Sequence, residues 1–198
     1  MEEKKRELEN IIVEIYRGHP NEQYWEAFEI PYRETANVIS VLMTIQENPL
    51  NQSGKMVQPI VWEDGCLEEV CGLCSMLING KPRQACTALV KNLVSPRNNR
   101  IQLAPLTKFQ LVRDLKVDRK TMFENLKRVQ AWIDVDGYYD RGSGPKIDPA
   151  TQDIRYSLST CMSCGCCTEA CPQTEKDGQF IGPAAISQVR FFNLPPTG

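Results

Sequence analysis

The chain has 198 residues, 41% hydrophobic and 24% charged, with a formal net charge of -2. That length holds one large domain or two small ones, and either can bury a real core. Its longest mostly apolar run, NVISVLMTI, falls far short of the roughly 20 residues a membrane span needs, and the opening MEEKKRELEN lacks the apolar segment of a secretory signal, so membrane association is expected only through a partner.

In chain order, IIVEIYR and EAFEIPY carry partial strand alternation and β-branched or aromatic residues, with turn chemistry in GHPNEQ between them. TANVISVLMTIQENP predicts a helix, with Thr35 or Asn37 as N-cap and Pro49 just past its end. SMLING and RQACTALV flank NGKP and predict a hairpin, with Cys86 on its second strand. RIQLAPL is one further strand. After about residue 118 the character changes. DRKTMFENLKRVQAWI predicts an amphipathic helix whose apolar face is Met122, Phe123, Leu126, Val129 and Trp132. DGYYDRGSGPKIDP reads as a loop, GPAAISQVRFFN as a helix with Pro183 at its start, and LPPTG as a linker.

Charge is unevenly spread. Residues 1–80 hold 6 Lys and Arg against 14 Asp and Glu, residues 81–130 hold 12 against 3, and residues 131–198 hold 5 against 8. A solvated basic face and a docking surface for an acidic partner or anionic headgroups both fit this pattern. The basic stretch has no interleaved aromatics or binding motif, so no nucleic-acid partner is expected.

The nine cysteines fall in two groups, with none in the first 65 residues and none between Cys86 and Cys161. A disulfide framework would spread them, so two tight groups point to metal in a reducing compartment. Cys66, Cys71, Cys74 and Cys86 have C-x4-C-x2-C spacing followed by a fourth cysteine, the plant-type [2Fe–2S] pattern. Gly65 and Gly72 would let the backbone approach closely or take positive φ. Zinc and plain buried thiols are the competing readings, but zinc sites usually show two close pairs and only one is present. Cys161, Cys164, Cys167 and Cys171 fit C-x2-C-x2-C-x3-C-P, where three thiolates serve a [4Fe–4S] cluster and the fourth serves another. Cys166 lies between two of these. It either completes a cluster or stays a buried non-ligand, and the second reading is preferred because adjacent cysteines rarely both reach one cube. No cysteine follows residue 171, so both motifs together call for more thiols than the sequence holds. Truncation is the expected reason, with a partner's thiols or non-cysteine ligands as alternatives.

The segments EIPYRETANVISVLMTI, CLEEVCGLCSMLINGKPRQACTALV, LVRDLKVDR, CMSCGCCTEACP and FIGPAAISQVRFFN, in this order, resemble the iron–sulfur subunits of succinate dehydrogenase and fumarate reductase. The wording is most similar to the Gram-positive branch that commonly works with menaquinone. The resemblance implies an α+β chain in two parts. A β-grasp, plant-type ferredoxin domain over 8–117 would bind [2Fe–2S] through Cys66, Cys71, Cys74 and Cys86. A helical, bacterial-ferredoxin-like domain over 118–198, C-terminally incomplete, would offer Cys161, Cys164 and Cys167 to [4Fe–4S] and Cys171 to [3Fe–4S]. Cys166 matches a non-ligand position. Where many ubiquinone-linked relatives have a Trp pair this chain has PQTEKD, which makes ubiquinone less expected.

The implied partners are an FAD-containing flavoprotein, a cytochrome b-type membrane anchor and a quinone. The implied location is peripheral, on the cytoplasmic face of the bacterial inner membrane. Electrons would pass singly between flavin and quinone, with no acid, base or nucleophile required of this chain. His19 reads as a solvated turn residue, Trp62 and Trp132 as core. Asp64, Glu68 and Glu69 are either solvated loop charges or negative charges that lower the nearby cluster's potential. A stand-alone ferredoxin-type carrier, a subunit of another reductase and a zinc-stabilised interaction module remain the alternatives.

Overall fold

A computed structural model describes residues 8–132 and 146–194. Strands β1 (Asn10–His19) and β2 (Glu22–Pro31) form an antiparallel hairpin closed by Pro20 and Asn21. Every second residue of β1 is buried, giving Ile11, Val13 and Ile15 to the core and, at the next such position, Arg17. Strand β2 begins earlier than its alternation suggested, because Glu22 pairs with His19 across the tight turn. His19 is exposed there, at the end of β1.

Helix α1 (Val38–Glu47) follows. Asn37 rather than Thr35 caps it, its side-chain oxygen accepting from the Ser40 amide at 2.8 Å. The hairpin β3 (Ser75–Ile78) and β4 (Lys81–Gln84) turns on Asn79 and Gly80, both at positive φ, as a two-residue hairpin turn demands. Strand β5 (Arg100–Ala104) completes a five-stranded mixed sheet in the order β2-β1-β5-β3-β4, with β5 parallel to β1. The buried face of α1, Val38, Ile39, Val41, Leu42 and Ile45, packs in one core with Ile11, Val13, Phe28, Met76, Ile78, Ile101 and Leu103. Trp62 is partly buried against this core.

Two short strands that the sequence reading missed, β6 (Gln110–Arg113) and β7 (Lys116–Asp118), form a separate ribbon. Asp114, between them, is buried. Its carboxylate accepts from the amides of Gly18 and Val61, each at 2.9 Å, and from Arg17 Nε at 3.4 Å. Glu26 takes the other side of the Arg17 guanidinium at 2.6 Å, so the charge on the core-facing row of β1 is matched by two carboxylates. This knot fixes residues 58–61, the approach to the first cysteine group.

The C-terminal elements are helical: α2 (Lys120–Arg128), α3 (Pro149–Ser159), α4 (Cys166–Ala170) and α5 (Gly182–Asn193). Pro183 sits in the first turn of α5, as its sequence indicated. Helix α2 is shorter than expected and ends before Trp132. Met122 is its only buried residue, while Phe123 and Trp132 are about half exposed, which corrects the expected five-residue apolar face and the core placement of Trp132. Helix α3 was not anticipated. It starts on Asp148, whose side chain accepts from the Thr151 amide at 3.0 Å, and its Pro149 suits the first turn. Of the stretch read as a loop before it, residues 136–145 lie outside the described residues, as do 195–198 of the C-terminal linker. A second apolar cluster of Leu106, Phe109, Leu111, Val117, Met122 and Ala184 joins the ribbon to α2 and α5.

Candidate metal centres

Cys66 opens a loop that winds through Leu67 and Glu69, both at positive φ, φ 61° and 60°. That winding turns three amides onto one sulfur. Cys66 Sγ accepts from Glu68 N at 3.4 Å and from Val70 N and Cys71 N at 3.3 Å each. The amide of Glu68, then those of Val70 and Cys71, lower the partly exposed Cys66 thiol to about 7. Left-handed non-glycine residues are strained, and here the strain is coupled to donors aimed at a sulfur. Cys71 lies against Cys66 as a second sulfur partner.

Cys74 precedes β3 and is buried. Burial pushes its thiol up to about 11, and the neighbouring Cys86 thiol adds to the rise. The four cysteines of the first group therefore stand as two pairs, Cys66 with Cys71 and Cys74 with Cys86. Cys86 is not on a strand, contrary to expectation. Pairing of β3 with β4 ends at Ser75–Gln84, and Cys86 lies two residues beyond. It is held instead by Asn37, whose side-chain amide donates to the Cys86 carbonyl at 2.8 Å.

Gly72 sits between the two pairs at φ 70°. A Cβ there would lie 2.7 Å from Cys164 Cβ and 2.8 Å from its Cα. Only glycine fits, and the first cysteine loop touches the second through it. Arg119 clamps the same loop, donating to the carbonyls of Gly72 at 2.9 Å and Leu73 at 2.7 Å. Asp64 accepts from the Trp62 indole at 3.0 Å, and Glu68 and Glu69 are exposed.

In the second group, Cys161 and Cys164 each lie within electrostatic reach of Cys167. Cys164 is held down to about 5. The first cause is the neighbouring Cys166 thiol, against its own burial, and the Ser75 and Gln84 side chains add to the effect. Cys166 is correspondingly pushed up, and Cys167 is raised mainly by burial. Cys171 stands apart at the end of α4. Its thiol is lowered first by the Thr174 hydroxyl, then by the Gln173 amide, with Lys108 also contributing. Lys108 Nζ donates to the Cys171 carbonyl, and Glu169 accepts from Thr107 Oγ1 at 2.6 Å and Lys108 N at 3.0 Å.

Among the described residues no three His, Cys, Asp or Glu side chains gather on a single ion. Paired soft thiols, amides converging on Cys66 and a glycine cradle fit a multi-iron cluster instead.

A family model described as a 2Fe-2S iron-sulfur cluster binding domain matches residues 12–124. The succinate dehydrogenase iron-sulfur subunit of Bacillus subtilis is 54% identical over 175 residues, covering 88% of this chain and 68% of its own length. This chain belongs to that iron–sulfur subunit family. The fumarate reductase iron-sulfur subunit of Escherichia coli is also similar, 27% identical over 191 residues, with 94% of this chain and 73% of its own length covered. In fold, a chain of the Mycobacterium smegmatis Sdh1 complex in the apo form superposes with a TM-score of 0.76 at 18% identity, covering 96% of this chain and 77% of that one.

Several residues around the centres of this iron–sulfur subunit carried no sequence signal. Gln84 reaches Cys166, Lys108 the Cys171 carbonyl, Arg119 the carbonyls of Gly72 and Leu73, and Glu169 the segment at Thr107 and Lys108, all far apart in sequence, and a local pattern does not report such contacts; Asn37 was legible as a cap but not as the donor to the Cys86 carbonyl.

Proposed function

We propose that this chain relays electrons one at a time between an FAD-bearing flavoprotein and a membrane quinone, as the iron–sulfur subunit of a succinate dehydrogenase or fumarate reductase. The observation that carries the reading is the contact of the two cysteine groups through Gly72, which puts a ligand loop of one centre against the Cys164 backbone of the next.

Cys66 and Cys71 would hold one iron of a [2Fe–2S] cluster, and Cys74 and Cys86 the other. Cys161, Cys164 and Cys167 would supply three of the four ligands of a [4Fe–4S] cluster, and Cys171 one ligand of a [3Fe–4S] cluster. The clusters supply the one-electron chemistry. The chain's own work is placement and tuning: amides at Cys66 stabilise negative charge on sulfur, and burial of Cys74 and Cys86 keeps water from one wall of the first site. We assign residues 8–117 to the first domain and 118–198 to the second. Menaquinone is the favoured quinone. No helix among the described residues is long and apolar enough to cross a membrane. By its likeness to the succinate dehydrogenase and fumarate reductase iron-sulfur subunits, a cytochrome b-type anchor subunit would hold the complex on the cytoplasmic face.

The test is to isolate the full-length subunit in complex with its flavoprotein and measure iron, labile sulfide and low-temperature EPR spectra. Three distinct cluster signals are expected, and Cys71→Ala should abolish only the [2Fe–2S] signal. A colourless complex containing zinc and no labile sulfide would overturn the reading in favour of the zinc-stabilised module.

A further inference from the structure

Arg119 stands where β7 ends and α2 begins, and nothing in the helix calls for it. It occupies the N-cap position and makes no side-chain capping bond. Short polar acceptors are preferred there, and the positive end of the helix dipole disfavours a cation. Its backbone serves the helix, the carbonyl accepting from the Met122 amide at 3.0 Å and the Phe123 amide at 3.4 Å. Its side chain serves a segment 46 and 47 positions earlier. Nη1 donates to the Gly72 carbonyl at 2.9 Å and Nη2 to the Leu73 carbonyl at 2.7 Å.

Those two carbonyls lie between the assigned ligands Cys71 and Cys74. Arg119 also lines one cavity with Cys71, Leu73, Met162 and Ser163, so its charge stands beside both cysteine groups. That charge is weakly compensated. Arg17, Arg100 and Arg113 each pair with a carboxylate, whereas among the described residues no carboxylate pairs with Arg119. Its Nε is buried and has no hydrogen-bond partner among the described residues. Of the cavity's other charges, Glu63 and Lys116 pair with each other at 3.0 Å, and Asp118 accepts from the Lys120 amide at 2.8 Å. A guanidinium does not lose its proton in a protein, so the charge is permanent.

We propose that Arg119 is a fixed positive charge that raises the reduction potential of the [2Fe–2S] cluster. This rests on the ligand assignment above. The direction follows from Coulomb's law. Reduction adds one negative charge to the cluster and its sulfurs, and a nearby cation stabilises that state more than the oxidised one. Partial burial limits the screening that would weaken the same charge in open solvent. Arg119 bonds to carbonyls and to no assigned ligand sulfur, so it is a positioning residue. Both bonds are made on the ligand loop of the first centre, so the first cluster should respond more than the second.

The experiment uses the full-length subunit assembled with its flavoprotein, each cluster titrated electrochemically with EPR detection. Arg119→Met removes the charge, and Arg119→Gln removes it while keeping a hydrogen-bond donor. Both should shift the one-electron equilibrium of the [2Fe–2S] cluster about tenfold toward the oxidised form, which is a fall of about 59 mV. Arg119→Lys keeps the charge and should retain most of the parent potential. Lys120→Met removes an exposed, solvated charge one residue along and should move the potential far less.

An unchanged [2Fe–2S] potential in both neutral variants overturns the proposal. A fall in Arg119→Lys as large as in Arg119→Met also overturns it, because the clamp and not the charge would then set the potential. An equal fall in Lys120→Met does the same, since net charge alone would account for it. Loss of the [2Fe–2S] signal in both neutral variants would make Arg119 a residue that holds the loop and not one that tunes the cluster, and it too overturns the proposal. If the unmodified complex shows no [2Fe–2S] signal, the ligand assignment fails and the proposal with it. A normal parent spectrum with unresponsive variants sinks the charge effect alone.

Discussion

Single atoms decide whether the cysteine loops close. Gly72 has positive φ and a neighbouring Cys164 backbone that leaves no room for a methyl group. Gly72→Ala combines backbone strain of about 1–3 kcal/mol with overpacking of similar size, so a total near 3 kcal/mol is expected. The denaturant midpoint of the complex should fall and both the [2Fe–2S] and [4Fe–4S] signals weaken. A variant with the parent midpoint and spectra would show that the two loops do not touch. The thiols themselves differ in reactivity. The thiolate is the nucleophile, so alkylation rises with pH through a thiol's pKa and then levels off. In the iron-free chain Cys66, lowered to about 7, should label half-maximally near pH 7, while Cys74, pushed up to about 11, should stay unlabelled up to pH 9. Peptide mapping after iodoacetamide treatment checks this, and faster labelling of Cys74 than of Cys66 would refute it. The cysteine spacing in the sequence announced which residues to examine. It held no hint of this difference, because burial and amide direction arise only when the chain folds back.

At the scale of elements, strands and helices that bury an apolar face were legible. The alternation of β1, the cap and apolar row of α1, the Asn-Gly turn and the Pro183 start of α5 all follow local rules. Elements with little apolar pattern were not. Strands β6 and β7 are four and three residues long, too short to show a period, and α3 buries no residue at all. Helix α2 errs the other way: its sequence is amphipathic, yet only Met122 meets the core. Cys86 illustrates the link from element to site. Its position depends on Asn37, which caps α1 with its oxygen and grips the Cys86 carbonyl with its amide. Asn37→Ala removes both bonds. A loss of about 2 kcal/mol is expected, a capping bond plus one further hydrogen bond. Hydrogen exchange should speed up in the first turn of α1 and around Cys86 together. Faster exchange in α1 alone would mean that the cap does not support the metal loop.

Over the whole molecule the two cysteine groups are joined by a few polar contacts between distant segments. Glu169 on α4 receives Thr107 and the Lys108 amide, Arg119 holds the carbonyls of Gly72 and Leu73, and Gln84 reaches Cys166. Glu169→Ala leaves the Lys108 amide without its acceptor and should cost about 2 kcal/mol. Limited proteolysis should then cut faster around residues 105–120 and in α4, with exchange in β1 and β5 unchanged. Equal protection in α4 would show that Glu169 is not what couples the parts. The sequence by itself determined the number and kind of thiols, their two groupings and the core-forming elements, because spacing along the chain and apolar period are local properties. Tertiary structure alone decided which cysteines of the first group lie side by side and that the two groups touch at Gly72. Those outcomes depend on contacts between residues as many as 92 positions apart, Gly72 and Cys164, and on the low-dielectric surroundings that only a folded interior provides.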